Sequence, residues 1–164
     1  MKWTLFAAAG SLVLLLGACA LVPRRDTVAY TGPGGPGPAP AKVYVDSVDV
    51  DRRVLTAEVA RDARELVSVL APGHGFDVVP SAEEGAWPLR LHIVERETIR
   101  DFSPQYAVMV SVQMYASPSA AEPSLTIVHT GESTDSVASP WALKRILNDC
   151  LLQAAKTFGA RRGG

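Results

Sequence analysis

The sequence of 164 residues has few cysteines, few histidines and no excess of basic charge. Cys19 and Cys150 are the two cysteines, which are too few for the disulfide framework of a small secreted domain. None of the three histidines belongs to an HxxxH or HExxH pattern, so no metal motif is evident. The 16 basic and 17 acidic side chains give a formal net charge of −1, and we expect no nucleic-acid partner.

The sequence also lacks an apolar run long enough for a permanent transmembrane helix. The longest run extends from Trp3 to Leu16, after the basic residue Lys2, and Pro23-Arg24-Arg25-Asp26 follows shortly behind it. A helix that crosses the hydrocarbon core needs about 20 apolar residues, and this run is shorter. A basic start, a short apolar region and small residues before a cleavage site are typical of a secretory signal peptide.

The signal ends in Leu16-Gly17-Ala18-Cys19, which resembles the lipobox of bacterial lipoproteins. The resemblance implies that the signal peptidase recognises Leu16, Gly17 and Ala18 and cleaves before Cys19. It also implies a diacylglyceryl group on the Cys19 sulfur and a fatty acid such as palmitate on the new amino group. Two or three acyl chains hold a protein firmly on a bilayer, since each buried methylene contributes about 0.8 kcal/mol. The alternative is an ordinary cleaved signal with an incidental cysteine.

The residue after the lipidated cysteine indicates the destination. In enteric-type lipoproteins an aspartate at this position favours retention in the inner membrane, whereas this sequence has Ala20. By that analogy we expect a lipid anchor in the outer membrane, with the inner membrane as the less favoured location. The globular domain would face the periplasm.

Composition divides the chain into four parts. We assign residues 1–18 to the signal peptide, 19–41 to a lipidated N-terminus with a Pro/Gly-rich tether, 42–159 to one periplasmic domain, and 160–164 to a frayed tail. The prolines and glycines between Gly32 and Pro40 predict neither helix nor strand. A flexible tether of about 20 residues spans roughly 25 Å.

Apolar periodicity predicts seven elements within residues 42–159. They are a strand from 42, a helix at 56–70, a short strand at 76–79, strands at 89–100, 106–115 and 124–133, and a helix that begins after Ser139. The order β-α-β-β-β-β-α, with one apolar stripe on each helix, predicts an α+β fold. We expect a two-layer sandwich with a mainly antiparallel sheet and both helices on one face.

The candidate reactive side chains have simpler structural explanations. Cys150 falls on the apolar stripe of the last helix, which predicts a buried structural thiol. His74 lies between two glycines and is interpreted as a solvated turn residue. His92 and His129 are on different strands and can approach each other across the sheet, but no third ligand accompanies them.

An acidic cluster near residue 50 also has no clear chemical role. Asp46, Asp49 and Asp51 lack the central glycine and terminal glutamate of an EF-hand loop, and turn and helix-entry chemistry account for them. No nucleophile motif is present. We therefore predict a protein that is not an enzyme and that binds no cofactor and no metal.

One sheet face is a candidate partner surface. Met109 and Tyr115 lie on the side of the fourth predicted strand that two helices on one face would leave uncovered. Large apolar residues on an uncovered sheet face are suited to a partner protein or a lipid. The alternative is an ordinary solvated face.

The arrangement as a whole resembles the lipopolysaccharide-assembly lipoproteins of the LptE type. The resemblance rests on the lipobox, the V-x-V strand, Gly75-Phe76-Asp77-Val78, Leu89-Arg90-Leu91-His92-Ile93, the long strand from Tyr106 to Tyr115, and the terminal helix. The YajG type and the curli-secretion type of envelope lipoprotein are similar in the same respects. The resemblance implies a non-enzymatic accessory protein of an envelope complex, with an outer-membrane β-barrel as partner. The alternative function is a periplasmic carrier of lipid or another small ligand.

Overall fold

The protein folds into one mixed sheet with two helices, here described from a computed structural model for residues 25–32 and 35–159. A short 3₁₀ turn at Ala71–His74 follows the first helix. The elements in chain order are β1 Arg25–Thr31, β2 Lys42–Asp51, α1 Thr56–Leu70, β3 Asp77–Val78, β4 Ala86–Arg100, β5 Ser103–Met114, β6 Leu125–Ser133 and α2 Pro140–Gly159.

The strand order across the sheet is β1-β6-β5-β4-β2-β3. The neighbours from β1 to β4 are antiparallel, whereas β2 is parallel to both β4 and β3. Both helices contribute to one continuous core on one face of the sheet. The structure thus confirms the α+β fold and the mostly antiparallel sheet. It adds one strand, β1, that the predicted element order lacks.

The core follows from the alternation along the strands and the stripes along the helices. Leu89, Leu91 and Ile93 of β4 alternate with polar residues and are fully buried, as the period of two requires. Helix α2 begins at Pro140, where the Leu143 N–H donates to the Ser139 carbonyl, as predicted from the Ser-Pro pair. Its buried residues are Ala142, Leu143, Ile146, Leu147, Cys150, Leu151, Ala154 and Phe158.

The first correction concerns the predicted tether, because Arg25–Thr31 forms the edge strand β1. Its register runs from Arg25 opposite Gly131 to Thr31 opposite Leu125. The segment escaped prediction because its large apolar side chains, Val28 and Tyr30, are exposed, while the polar Thr27 points inward. The folded part therefore begins at least 17 residues before the boundary predicted at residue 42.

The Pro/Gly-rich segment is the second correction, since its described part packs on the fold. Pro36 and Pro40 are buried, and Ala39 contacts the core. The segment connects β1 to β2, which are four strand spacings apart, so it must cross roughly 19 Å. Gly32 is required at its start because a Cβ there would lie 2.6 Å from the Pro123 carbonyl oxygen. This segment is a crossover connection along the sheet and not a tether.

A long hairpin arm extends from the body of the sheet. Residues 96–104, at the end of β4 and the start of β5, are all exposed. The two central residues of its turn, Asp101 and Phe102, have φ values of 50° and 63°. Two consecutive positive φ values between paired strands define a type I′ turn. We call residues 96–104 the hairpin arm, and the end of the sheet from which it projects the hairpin end.

Candidate binding cavity

The sheet face opposite the helices carries the candidate functional site. The register aligns side chains of five strands across this helix-free face. One such row contains Asp26, Thr130, Met109, Val94 and Asp51. The face therefore mixes apolar and charged side chains and has no helix over it among the described residues.

A cavity of about 830 Å³ opens on this face beside the hairpin arm. Val94, Ala107 and Met109 provide an apolar lining. Charged side chains surround it, namely Asp26, Arg96, Arg100, Asp101 and Glu132. The volume is within the range of small-molecule pockets, and the lining is suited to an amphipathic ligand or a partner segment.

A ladder of hydrogen-bonded polar pairs between β2 and β4 borders the cavity through Arg96. Asp46 accepts from Arg90 over 2.8 Å, His92 Nδ1 lies 2.8 Å from Asp49, and Arg96 donates to Asp51. The hydrogen bond from Arg96 lowers the pKa of Asp51, and the same bond raises the pKa of Arg96. The sequence interpretation of these aspartates as turn residues is therefore wrong, because they pair across two strands.

The two residues predicted for the partner surface occupy different environments. Met109 lines the cavity. Tyr115 lies just beyond the other end of β5, where its ring is buried beneath the Arg90 guanidinium at 4.4 Å and its hydroxyl donates to Gln113. Both are on the helix-free side, but the structure does not bring them together. Their role in binding a partner stays a prediction.

The histidines do not assemble into a metal site. His92 is on the helix-free face beside Asp49, whereas His129 points into the opposite, helix-covered side. His74 Nε2 is 3.0 Å from the Asn148 side-chain oxygen and half-buried, so it is not the freely solvated residue that was predicted. Within residues 25–32 and 35–159, no group of three or more potential ligands can hold a metal ion.

His129 makes the fold sensitive to mild acid. It is buried 3.0 Å from Thr27 Oγ1, and burial lowers its pKa, although the carboxylates of Asp149 and Asp26 partly oppose this effect. The unfolded chain therefore binds more protons than the folded chain below the ordinary histidine pKa of 6.5. The contribution of His129 to the free energy of unfolding is therefore greatest above pH 6.5. It declines as the pH falls towards the lower pKa of His129 in the folded state.

We expect the free energy of unfolding in urea to fall between about pH 7.5 and about pH 5.5, and His129→Gln to flatten this dependence. Chemical denaturation of both proteins at the two pH values measures the effect. An identical pH dependence in wild type and variant would contradict it.

Cys150 is fully buried, and burial raises its pKa to about 12. Its thiolate is therefore scarce at neutral pH, and the prediction of a buried structural cysteine is confirmed. The predicted lipidation site, Cys19, and the recognition residues Leu16, Gly17 and Ala18 lie outside the described residues. Neither helix of the described chain combines the length and the apolar character needed to cross a membrane.

A buried ion pair at the hairpin end was not predicted. Arg52 donates to Glu95 over 2.8 Å, and both side chains are at least nine-tenths buried. Glu95 also accepts from the Ser136 hydroxyl and from the Val137 N–H. The sequence does indicate a buried Glu95, because this residue follows Leu91 and Ile93 at the spacing of two that places side chains on the inward face of a strand.

Comparison with solved structures shows a fold shared with PelC. No protein-family model and no curated protein matches the chain. The PelC dodecamer from Paraburkholderia phytofirmans is 13% identical, with 82% of this chain and 97% of that chain covered and a TM-score of 0.50. A minor lipoprotein from Acinetobacter baumannii is 12% identical, with 76% and 95% covered and a TM-score of 0.43.

Proposed function

We propose that the protein is a lipid-anchored lipoprotein of the cell envelope that acts without catalysis, as an accessory or assembly component of an envelope complex. The observation that carries the proposal is the position of the cavity relative to the predicted anchor. Asp26 lines the cavity and is seven residues after Cys19, a distance of at most about 25 Å along an extended chain. Lipidation at Cys19 would hold this binding surface close to the membrane.

The sheet edges support assembly. The outer edge of β1, and that of β2 beyond Val43, have no strand partner among residues 25–32 and 35–159. On that part of β2, the Val45 carbonyl accepts a hydrogen bond from the Arg64 side chain, and the Asp51 carbonyl accepts one from Arg96. Unpaired edges can accept an added strand from a partner. The fold shared with PelC, which forms a dodecamer, also favours assembly. The narrower proposal is a role in lipopolysaccharide transport beside an outer-membrane β-barrel.

A second candidate function is a carrier of lipid or another small ligand, which the cavity favours. Its size and its apolar lining by Val94, Ala107 and Met109 fit an acyl chain, and its charged rim fits a polar headgroup. This candidate requires a bound molecule but no protein partner.

Native mass spectrometry of the protein extracted in mild detergent tests both functions. The accessory function predicts a complex with a stoichiometric envelope protein or with further copies of the chain. The carrier function predicts a monomer with a bound molecule of lipid mass in addition to the covalent acyl chains. A monomer of the acylated chain with nothing bound would contradict both.

A further inference from the structure

Exposed large apolar residues are concentrated at the hairpin end. Ile99 and Phe102 on the hairpin arm are 79% and 103% exposed. Val54 and Leu55 lie in the loop after β2, and Trp141 lies in the first turn of α2. The loop after β2 and the start of α2 lie at the same end, because Arg52, the Ser136 hydroxyl and the Val137 N–H all donate to Glu95 at the base of the arm.

The backbone at this end is locally strained. Within the described ranges, the non-glycine residues with positive φ are Leu55, Asp101 and Phe102. The second central position of a type I′ turn favours glycine, yet it carries a fully exposed phenylalanine. Phenylalanine is unfavourable at this turn position and also unfavourable in contact with water. We infer that another surface covers the Phe102 ring when the protein functions.

The register places the start of β1, six residues after the predicted lipid anchor, at the same end. Arg25 pairs with Gly131, which pairs with Val108, which pairs with Glu95, so Arg25 lies level with the base of the arm. Arg100 is five residues further along β4, or roughly 17 Å. Cys19 is six residues before Arg25, and this length of chain can span at most about 21 Å. A lipid on Cys19 can therefore reach the level of the turn.

We propose that the turn of the hairpin arm is a second membrane contact, in which Phe102 and Ile99 enter the interface of the bilayer that holds the acyl chains of Cys19. The proposal rests on the predicted anchor. Arg96 and Arg100 offset Glu97 and Asp101 in charge, so the contact depends on apolar burial and not on anionic lipid. A convex turn that projects beyond the sheet suits a soft lipid interface better than a pocket on a rigid protein.

Environment-sensitive fluorophores at two matched cysteines test the proposal. Phe102→Cys places the label at the turn, and Val69→Cys places it on α1, at a position that is 66% exposed and far from the arm. Cys150 is buried with a raised pKa and will not react, and the Cys19 sulfur carries lipid. The lipidated full-length protein is reconstituted in vesicles of phosphatidylethanolamine and phosphatidylglycerol.

The label at position 102 is expected to shift to the blue and to lose most of its emission to brominated lipid, while the label at position 69 does neither. Equal emission and quenching at the two positions would overturn the proposal. Shielding of position 102 in native membranes but not in protein-free vesicles would assign the turn to a protein partner, and would overturn it too. A chain that incorporates no palmitate overturns both the anchor and the membrane contact.

A second variant separates membrane contact from misfolding. In an Ile99→Cys background, Phe102→Gly relieves the left-handed strain and is expected to raise Tm. The same change removes the ring, so the blue shift of a label at position 99 should be lost. A blue shift that survives Phe102→Gly would contradict a role for the phenylalanine in membrane contact.

Discussion

Replacing Cys19 with serine is expected to abolish the incorporation of radiolabelled palmitate and to remove the protein from the outer-membrane fraction. Serine has nearly the same size, but it has no sulfur for the diacylglyceryl group. Cleavage at a lipobox depends on that group, so we expect a precursor that keeps residues 1–18. Palmitate labelling, gel mobility and membrane fractionation measure the three effects.

Cys150→Ser is the matched control, because it removes a thiol that is buried in the core and leaves the signal unchanged. This variant should incorporate palmitate as the wild type does. Labelling that persists in Cys19→Ser would contradict the anchor. A Cys19→Ser protein that is cleaved at the normal site and soluble would support the alternative of an ordinary signal peptide.

Glu95→Ala is expected to lower the free energy of unfolding by about 3–5 kcal/mol, the typical cost of breaking a buried ion pair. The change leaves the Arg52 guanidinium buried without its counterion and the Val137 N–H without its acceptor. Arg52 Nε and Nη1 already lack hydrogen-bond partners among the described residues, so the guanidinium has little alternative compensation. Urea denaturation at neutral pH measures the loss.

Two further variants identify the cause of the loss. Asp51→Asn removes the carboxylate of a solvent-exposed pair with Arg96 and should cost much less. The double variant Arg52→Met, Glu95→Met removes both charges, and it should be more stable than Glu95→Ala because no buried charge is left unpaired. If Glu95→Ala costs no more than Asp51→Asn, the buried pair does not stabilise the fold.

The parts of the fold that were predicted correctly are those where local pattern and burial agree. Helix α1 was predicted at 56–70 because its apolar spacing matches its buried face. The start of α2 follows from Ser139-Pro140, because proline is favoured at the first position of a helix. Strand β1 could not be recognised by this rule, since its exposed Val28 and Tyr30 give no inward apolar stripe.

The candidate site was only partly predictable, because strand pairing is not local information. A period of two predicts Met109 and Tyr115 on the same side of the sheet, and the structure has both on the helix-free side, with Met109 on β5 and Tyr115 directly after it. Which side chains lie beside them depends on the register with β4 and β6, which places Val94 and Thr130 next to Met109. The pairing of Arg52 with Glu95 likewise depends on how β2 aligns with β4, and no sequence motif predicts it.

The direction of β1 also determines how the sheet resists a pulling force applied at its N-terminal end. If the bilayer lies at the hairpin end, as proposed above, tension on a lipid at Cys19 would enter the sheet at Arg25 and act along the axis of β1. Such a force loads the seven register pairs between β1 and β6 together, in shear, instead of opening them one after another like a zipper. The strand next to the predicted anchor is thus arranged so that a pull from the membrane is distributed over its whole length.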